Sequence, residues 1–255
     1  MKILFVGDIV SKPGRNVLKK HLKTIQEENK IDFTIVNAEN AAHGKGITPK
    51  IFNQIINLNV DAITLGNHAY SKEEVFEIIE DKRLVRPINL DITKKGSGFR
   101  IFEALGKKIL VGNICGEAFM HNVSPNPFFA SDDFLEAKAD IKIIDFHGEA
   151  TAEKIAYMHN FKNDLTAILG THTHVQTADE DVFDGCAYIS DVGMCGSYVS
   201  VIGRDIDEVI SRFTEDKQTH YQVSKKPAVL CAVVIEVDDK TNRAKSIERI
   251  QIRPN

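Results

Sequence analysis

Apolar runs and amphipathic stretches alternate along the first third of the chain. "KILFVGD" (residues 2–8) is an unbroken apolar run ending in Gly-Asp. "GRNVLKKHLKTIQEEN" (14–29) then places Val17, Leu18, Leu22 and Ile25 on one side. Continuous apolarity predicts a strand buried on both faces, and spacing of three to four predicts a helix. "IDFTIVNAEN" (31–40) and "VDAITLGNH" (60–68) predict two more buried strands. Between them "TPKIFNQIINLN" (48–59) predicts a helix, with Thr48 placed to cap it and Pro49 suited to its first turn. A third helix is expected over "SKEEVFEIIEDK" (71–82), capped by Ser71. Such alternation predicts a parallel α/β sheet.

The pattern changes in the middle. "GFRIFEALGKKILVGNICG" (98–116) predicts two strands joined at Gly106. "EAFMHNVSPNPFFASDDF" (117–134) is rich in Asn, Pro and aromatics and predicts a long loop, of a length usually tied to function. "DIKIIDFHGEAT" (140–151) returns to a strand, followed by a helix in "AEKIAYMHNF" (152–161) and a strand in "LTAILGTHTH" (165–174). A helix over "DIDEVISRFTED" (205–216) and two closing strands, "AVLCAVVIEV" (228–237) and "AKSIERIQI" (244–252), complete the chain. No repeat, low-complexity tract or linker interrupts it, so a single domain over 1–255 is expected.

Composition narrows the classes. At 255 residues, 43% hydrophobic and 27% charged, this is an ordinary globular chain. A net charge of −4 argues against a protein that coats long nucleic acid, though not against small anions in a local pocket. Cys115, Cys186, Cys195 and Cys231 are scattered and form no C-x-x-C pair, as expected of reduced thiols in a cytoplasmic protein. No apolar stretch is long enough to span a bilayer, so no membrane partner is expected; a homo-oligomer is allowed.

The chemistry-bearing residues gather at one kind of place. In an open α/β sheet, ligands bind beyond the carboxyl ends of the strands. There stand Asp8, Glu39-Asn40, Asn67-His68, His147, and the pair His172 and His174. Each alone has a structural reading: Asp8 as a cap or turn former, Glu39-Asn40 as loop-ordering groups, Asn67 as a left-handed turn residue, His147 as a hydrogen-bonded histidine. Their recurrence at successive strand ends favours a common site. In an extended segment, residues two apart point to the same side, so His172 and His174 are expected to face one small region. A cation would give both imidazoles a partner. One Asp, one Glu, two Asn amides and three His are too many for one tetrahedral zinc. They suit two ions of intermediate hardness, Fe, Mn or Zn, sharing a carboxylate. Two such ions about 3.5–4 Å apart can activate water and clamp a phosphate.

"GD" after the first strand, "GNH" after the third, a later lone His and then "GTHTH" resemble the calcineurin-like metallophosphoesterases. The usual family pattern opens with Asp-x-His and has a second "GD" motif. Here Ile9-Val10 follow Asp8, and "NAEN" stands in place of the second motif. With "GDIV", "NAENAAHGKG", "GNHAY" and "SDVGM", the chain resembles the bacterial YmdB-type branch, associated with hydrolysis of phosphodiesters and notably of 2′,3′-cyclic nucleotides. The resemblance implies an α-β-β-α sandwich of two mixed sheets flanked by helices, and two divalent ions, Fe or Mn foremost and Zn allowed. It implies that Asp8, Asn40 and His174 bind one ion and Asn67, His147 and His172 the other, that Glu39 bridges, and that His68 is the general acid. His43 and the loop residue Phe128, with Phe129, are candidate substrate contacts; the two Phe side chains could also anchor the loop to the core.

Other protein classes use some of the same residue types. Amidohydrolases also use H-x-H with two metals, but typically after the first strand of an eight-unit barrel, which this chain does not show. A dinucleotide fold lacks its G-x-G-x-x-G after the first strand. A metal-stabilised scaffold acting through partners, or a phosphatase for another phosphoester, are the remaining alternatives.

Overall fold

The computed structural model describes residues 1–91, 93–121, 123–215 and 219–254. Two sheets lie at its centre. The first holds β1 (Lys2–Val6), β2 (Asp8–Ile9), β3 (Phe33–Asn37), β4 (Ala62–Thr64), β5 (Leu84–Val85), β12 (Met194–Ser197), β13 (Ala228–Val237) and β14 (Ala244–Ile252). Its order is β2-β12-β13-β1-β3-β4-β5, with β14 on β13. The second holds β6 (Phe99–Ala104), β7 (Lys107–Cys115), β8 (Ile141–His147), β9 (Ala167–Thr171), β10 (Asp181–Phe183) and β11 (Cys186–Ile189), in the order β10-β11-β9-β8-β7-β6. Both sheets are mixed. β1, β3, β4 and β5 run parallel, as do β7, β8, β9 and β11, while β13, β14, β6 and β10 pair antiparallel to their neighbours.

Strand alternation sorts the core into layers. From β1, Leu4 and Val6 join Val17, Leu18, Leu22 and Ile25 of α1 (Ser11–Asn29) and Phe52 and Ile55 of α2 (Pro49–Ile56). Ile3 and Phe5 of the same strand point the other way and meet Ile109, Val111, Ile141 and Ile143 of the second sheet. The far face of that sheet, with Leu110, Ile144 and Phe146, packs on Tyr157, Met158 and Phe161 of α5 (Thr151–Phe161). The result is helix, sheet, sheet, helix. The apolar runs are unbroken because each of these strands is buried on both sides.

The sequence reading needs correction in places. Residues 71–82 form only a 3₁₀ turn, Glu73–Glu77, preceded by Lys72 and not capped by the Ser71 side chain. Val75 and, beyond the turn, Ile79 are the buried residues of this stretch. Thr48 occupies the N-cap position of α2 but makes no side-chain capping bond; Pro49 sits at the first turn as expected. The 117–134 loop contains two short helices, α3 (Pro127–Ala130) and α4 (Asp132–Glu136). The helix expected over 205–216 is α6 (Ile206–Thr214). Asn122 of that loop and Asp216 of that stretch lie outside the described residues. Strands β2, β5, β10, β11 and β12 were not anticipated. Each has two to four residues, too few for a periodic pattern to register.

Candidate active site

Carboxyl ends of strands from both sheets meet at one edge of the sandwich. Asp8 follows β1, Glu39 and Asn40 follow β3, and Asn67 and His68 follow β4. From the second sheet, His147 ends β8, and His172 and His174 follow β9. Beneath them the sheets are joined by a buried carboxylate. Asp145 Oδ2 accepts from Asn37 Nδ2 of β3 (2.8 Å) and from Thr64 Oγ1 of β4, and its Oδ1 accepts from Thr171 Oγ1 of β9 (2.6 Å). Burial raises the Asp145 pKa above the usual carboxylate range, against these hydrogen bonds.

That network fixes how His147 is presented. Thr171 spends its only proton on Asp145, so its oxygen accepts from His147 Nδ1–H at 2.9 Å. Nε2 of His147 is left facing inward, where three electron-pair donors converge. Asn67 Oδ1 lies at 3.0 Å, His172 Nδ1 at 3.1 Å and Glu39 Oε2 at 3.3 Å. His172 has its other nitrogen, Nε2, beside Glu149 Oε2 at 3.1 Å. His174 directs Nδ1 to the carbonyl of Ile202 (3.0 Å), leaving Nε2 beside Asn40 Oδ1 (3.2 Å). Each imidazole is tied outward through one nitrogen and open inward through the other, the arrangement by which outer partners orient metal-binding histidines.

Asp8 is fully buried. Its Oδ2 accepts from the His172 backbone N–H (3.1 Å), while Oδ1 has no hydrogen-bond partner among the described residues and lies 3.9 Å from His147 Nδ1. A buried unpaired carboxylate oxygen is costly unless a cation completes it. The charge balance points the same way. Burial raises Asp8 to about 7, with the Asp191 and Glu39 carboxylates adding to it. Burial would also raise Glu39, but the charge and hydrogen bond of His147 outweigh it and the net shift is downward. Burial pulls His147 down, yet Glu39 and Asp8 hold it up at about 9. Burial, and then His147, take His172 down to about 3. The Asp8 and Glu39 carboxylates thus draw positive charge to this place. Glu39, His147 and His172 bring ligand atoms within 4.8 Å of one another. Nitrogen and oxygen donors around an orphaned carboxylate oxygen fit divalent metal.

The H-x-H pair reaches this place differently from the sequence expectation. β9 ends at Thr171, and His172 and His174 have φ of 101° and 67°, not extended values. His172 turns to His147 and His174 to Asn40, so they serve two neighbouring clusters. Strained backbone of this kind persists only where the surroundings impose it. Here Asp8 takes the His172 N–H, and Asp191 Oδ2 accepts both the N–H (2.9 Å) and hydroxyl (2.7 Å) of Thr173. Buried Lys154 donates to the Thr171 carbonyl (2.9 Å) and to Asp191 (3.2 Å). Sequence reasoning missed Lys154, Asp145 and the role of Asp191. A lone Asp inside the apolar run "IKIIDFH" was the available signal for Asp145.

His68 donates its backbone N–H to Glu39 Oε2 (3.1 Å), and its Nδ1 lies 3.5 Å from Ser71 Oγ. Burial lowers its pKa. It lines a cavity of about 660 Å³ together with Glu39, Asn40, His172 and His174, and with Lys45, Arg212 and Tyr221. The structure does not bring His43 or Phe128 there. His43 is exposed and lines a different cavity, while Gly44 and Lys45 turn to this one. Phe128 packs edge-on against Tyr157 (5.5 Å) and near Phe161 (6.1 Å), which makes it the loop's anchor to the core; Phe129 is exposed.

The profile of YmdB-like proteins matches residues 4–250. The chain belongs to that family. A 2′,3′-cyclic-nucleotide 2′-phosphodiesterase of Bacillus subtilis (strain 168) is 42% identical, over 99% of this chain and 97% of its own length. The crystal structure of a Mycoplasma pneumoniae phosphatase superposes with a TM-score of 0.95 at 38% identity, covering 99% of this chain and 93% of that one. A Candida albicans 5′-nucleotidase, 15% identical with a TM-score of 0.54 over 98% of this chain and half of its own, shares the fold alone. The YmdB-like chain is a hydrolase of the metallophosphoesterase class, and its α/β sandwich is that of the class.

Proposed function

We propose that this YmdB-like chain is a dinuclear metal-dependent phosphodiesterase for small phosphodiesters, 2′,3′-cyclic nucleotides first among them. The observation that carries the reading is the convergence of Glu39, Asn67 and His172 on His147 Nε2, beside Asp8 with its unpartnered oxygen. Asn67, His147 and His172 would hold one ion, Asp8, Asn40 and His174 the other, with Glu39 shared. Fe or Mn fits the mixed nitrogen and oxygen set best, and Zn is allowed. When bound, two divalent ions supply positive charge for the phosphate oxygens and acidify water so that the nucleophile exists near neutral pH.

The chain's own groups do the rest. The cavity, about 660 Å³, suits a mononucleotide, and Lys45 and Arg212 on its wall offer charge to the phosphate. His68 is the general acid. With Nδ1 turned to Ser71, Nε2 gives its proton to the ribose oxygen as the P–O bond breaks, and the oxygen of water takes that bond's place on phosphorus. The substrate phosphate beside it favours the protonated ring, offsetting the burial that lowers its pKa. After the naming of the Bacillus relative, the 2′ bond is the one opened and the 3′-nucleotide is the product. Four free, buried cysteines accord with the reducing cytoplasm, and no helix among the described residues is long and apolar enough to cross a membrane.

His68→Ala separates catalysis from metal binding. Turnover of 2′,3′-cyclic AMP should fall by about 10²–10⁴-fold, the usual contribution of a positioned acid, with metal content unchanged. Near-full activity in this variant would remove His68 from the reaction.

A further inference from the structure

A second cavity, of about 900 Å³, lies between the start of α1, the segment before β13 and the end of β14. It shares a wall with the catalytic cavity: His43 and Val223 line it, while their near neighbours Gly44 and Tyr221 line the other. Its charged side chains are Lys12, Lys20, Lys225, Lys226 and Arg253, with His21 and His43 beside them. Among the described residues no Asp or Glu lines it, although the chain has 36 acidic residues against 32 basic ones. None of the five cations is ion-paired among the described residues. Arg253 is held over the Tyr198 ring (5.5 Å) and donates to Gln251 Oε1 (2.6 Å). Ser11, 2% exposed and in the first turn of α1, also lines the cavity, and its hydroxyl has no hydrogen-bond partner among the described residues. The N-terminal end of this 19-residue helix adds partial positive charge.

We propose that this cavity is a binding site for a small molecule bearing two separated phosphate groups, in the class of nucleoside bisphosphates. Cations with no Asp or Glu among them in the described lining form a local positive field, which an anion completes. Lys12 and Lys20 are eight residues apart on α1, roughly 12 Å along its axis, farther than one phosphate spans. Val17, Pro227 and Ile252 also line the cavity and offer an apolar surface for a base or sugar. The net charge of the chain is −4, which disfavours a long polyanion reaching beyond the cavity. The site stands independently of the catalytic reading.

Calorimetric titration of the metal-loaded full chain with adenosine 3′,5′-bisphosphate tests it. Lys225 and Lys226 are exposed, so Lys225→Glu with Lys226→Glu should unfold at the wild-type temperature. That double variant should bind at least tenfold more weakly, and Lys20→Glu, on α1, should weaken binding in the same direction. His68→Ala should bind as wild type does, and affinity should fall as salt rises. Adenosine or inorganic phosphate alone should bind at least tenfold more weakly than the bisphosphate. Three results would overturn the proposal: no binding to wild type, binding unmoved by either charge reversal, or a single-stranded hexanucleotide binding tenfold tighter than the bisphosphate.

Discussion

Gly66 shows how one missing side chain makes room for the site. A Cβ at this position would stand 2.4 Å from both Glu39 Oε2 and His147 Nε2, in the space the inward-facing donors share. The glycine of "GNH" therefore follows from close approach, not from backbone freedom. Gly66→Ala should displace Glu39 or His147 and lower metal content to below half of wild type while far-ultraviolet circular dichroism stays unchanged. Full metal content in that variant would show that the donors do not need this space. Glu39→Ala removes the carboxylate that the proposal shares between the two ions and should lose metal as well. Content equal to wild type would rule out its shared role. At this scale much of the site could be read from the sequence, because Asp8, Glu39, Asn40, Asn67, His172 and His174 follow strands and His147 ends one. What could not be read was which groups hold them. Asp145 and Lys154 are distant in sequence from the residues they orient, and only folding brings Lys154 within 3.2 Å of Asp191.

Among the elements, the segment after β9 carries the most demanding geometry. Positive φ at two histidines costs of order 1–3 kcal/mol each, offset by the Asp8, Asp191 and Lys154 contacts. Lys154→Met strands Asp191 as a buried charge and should destabilise the chain by about 3–5 kcal/mol, read from denaturant unfolding. A loss under about 1 kcal/mol would mean that the pair does not brace the loop. The same element explains a misreading. Two residues apart on an extended strand would put both imidazoles on one side, whereas the loop sends them to different partners. Long strands and α1 were visible because burial on one or both sides writes a periodic pattern. The 3₁₀ turn at Glu73–Glu77 and the short strands were not, since tertiary pairing sets them and not their own periodicity.

For the whole molecule, the core between the sheets is continuous, with β1, β3 and β13 residues packed against β7, β8 and β9 residues. Asp145 ties the same two sheets directly below the site. Neither sheet keeps its inner face covered without the other, so thermal unfolding should be a single cooperative transition. Two resolved transitions would indicate separate domains. Ions bound by residues of both sheets would stabilise the native state further. At a hundredfold excess over its dissociation constant, one ion contributes about 2.7 kcal/mol. Chelator should then lower the melting temperature by roughly 5–10 °C.

Metal analysis of protein purified without chelator, run beside hydrolysis of 2′,3′-cyclic AMP with and without added Mn²⁺, is the measurement to make first. We expect about two ions per chain, matching the two donor clusters around Glu39, and cleavage that disappears with chelator and returns with metal. No bound metal after loading with Mn²⁺ or Fe²⁺, or cleavage indifferent to chelator, would contradict the assignment of this cluster as a dinuclear phosphodiesterase centre.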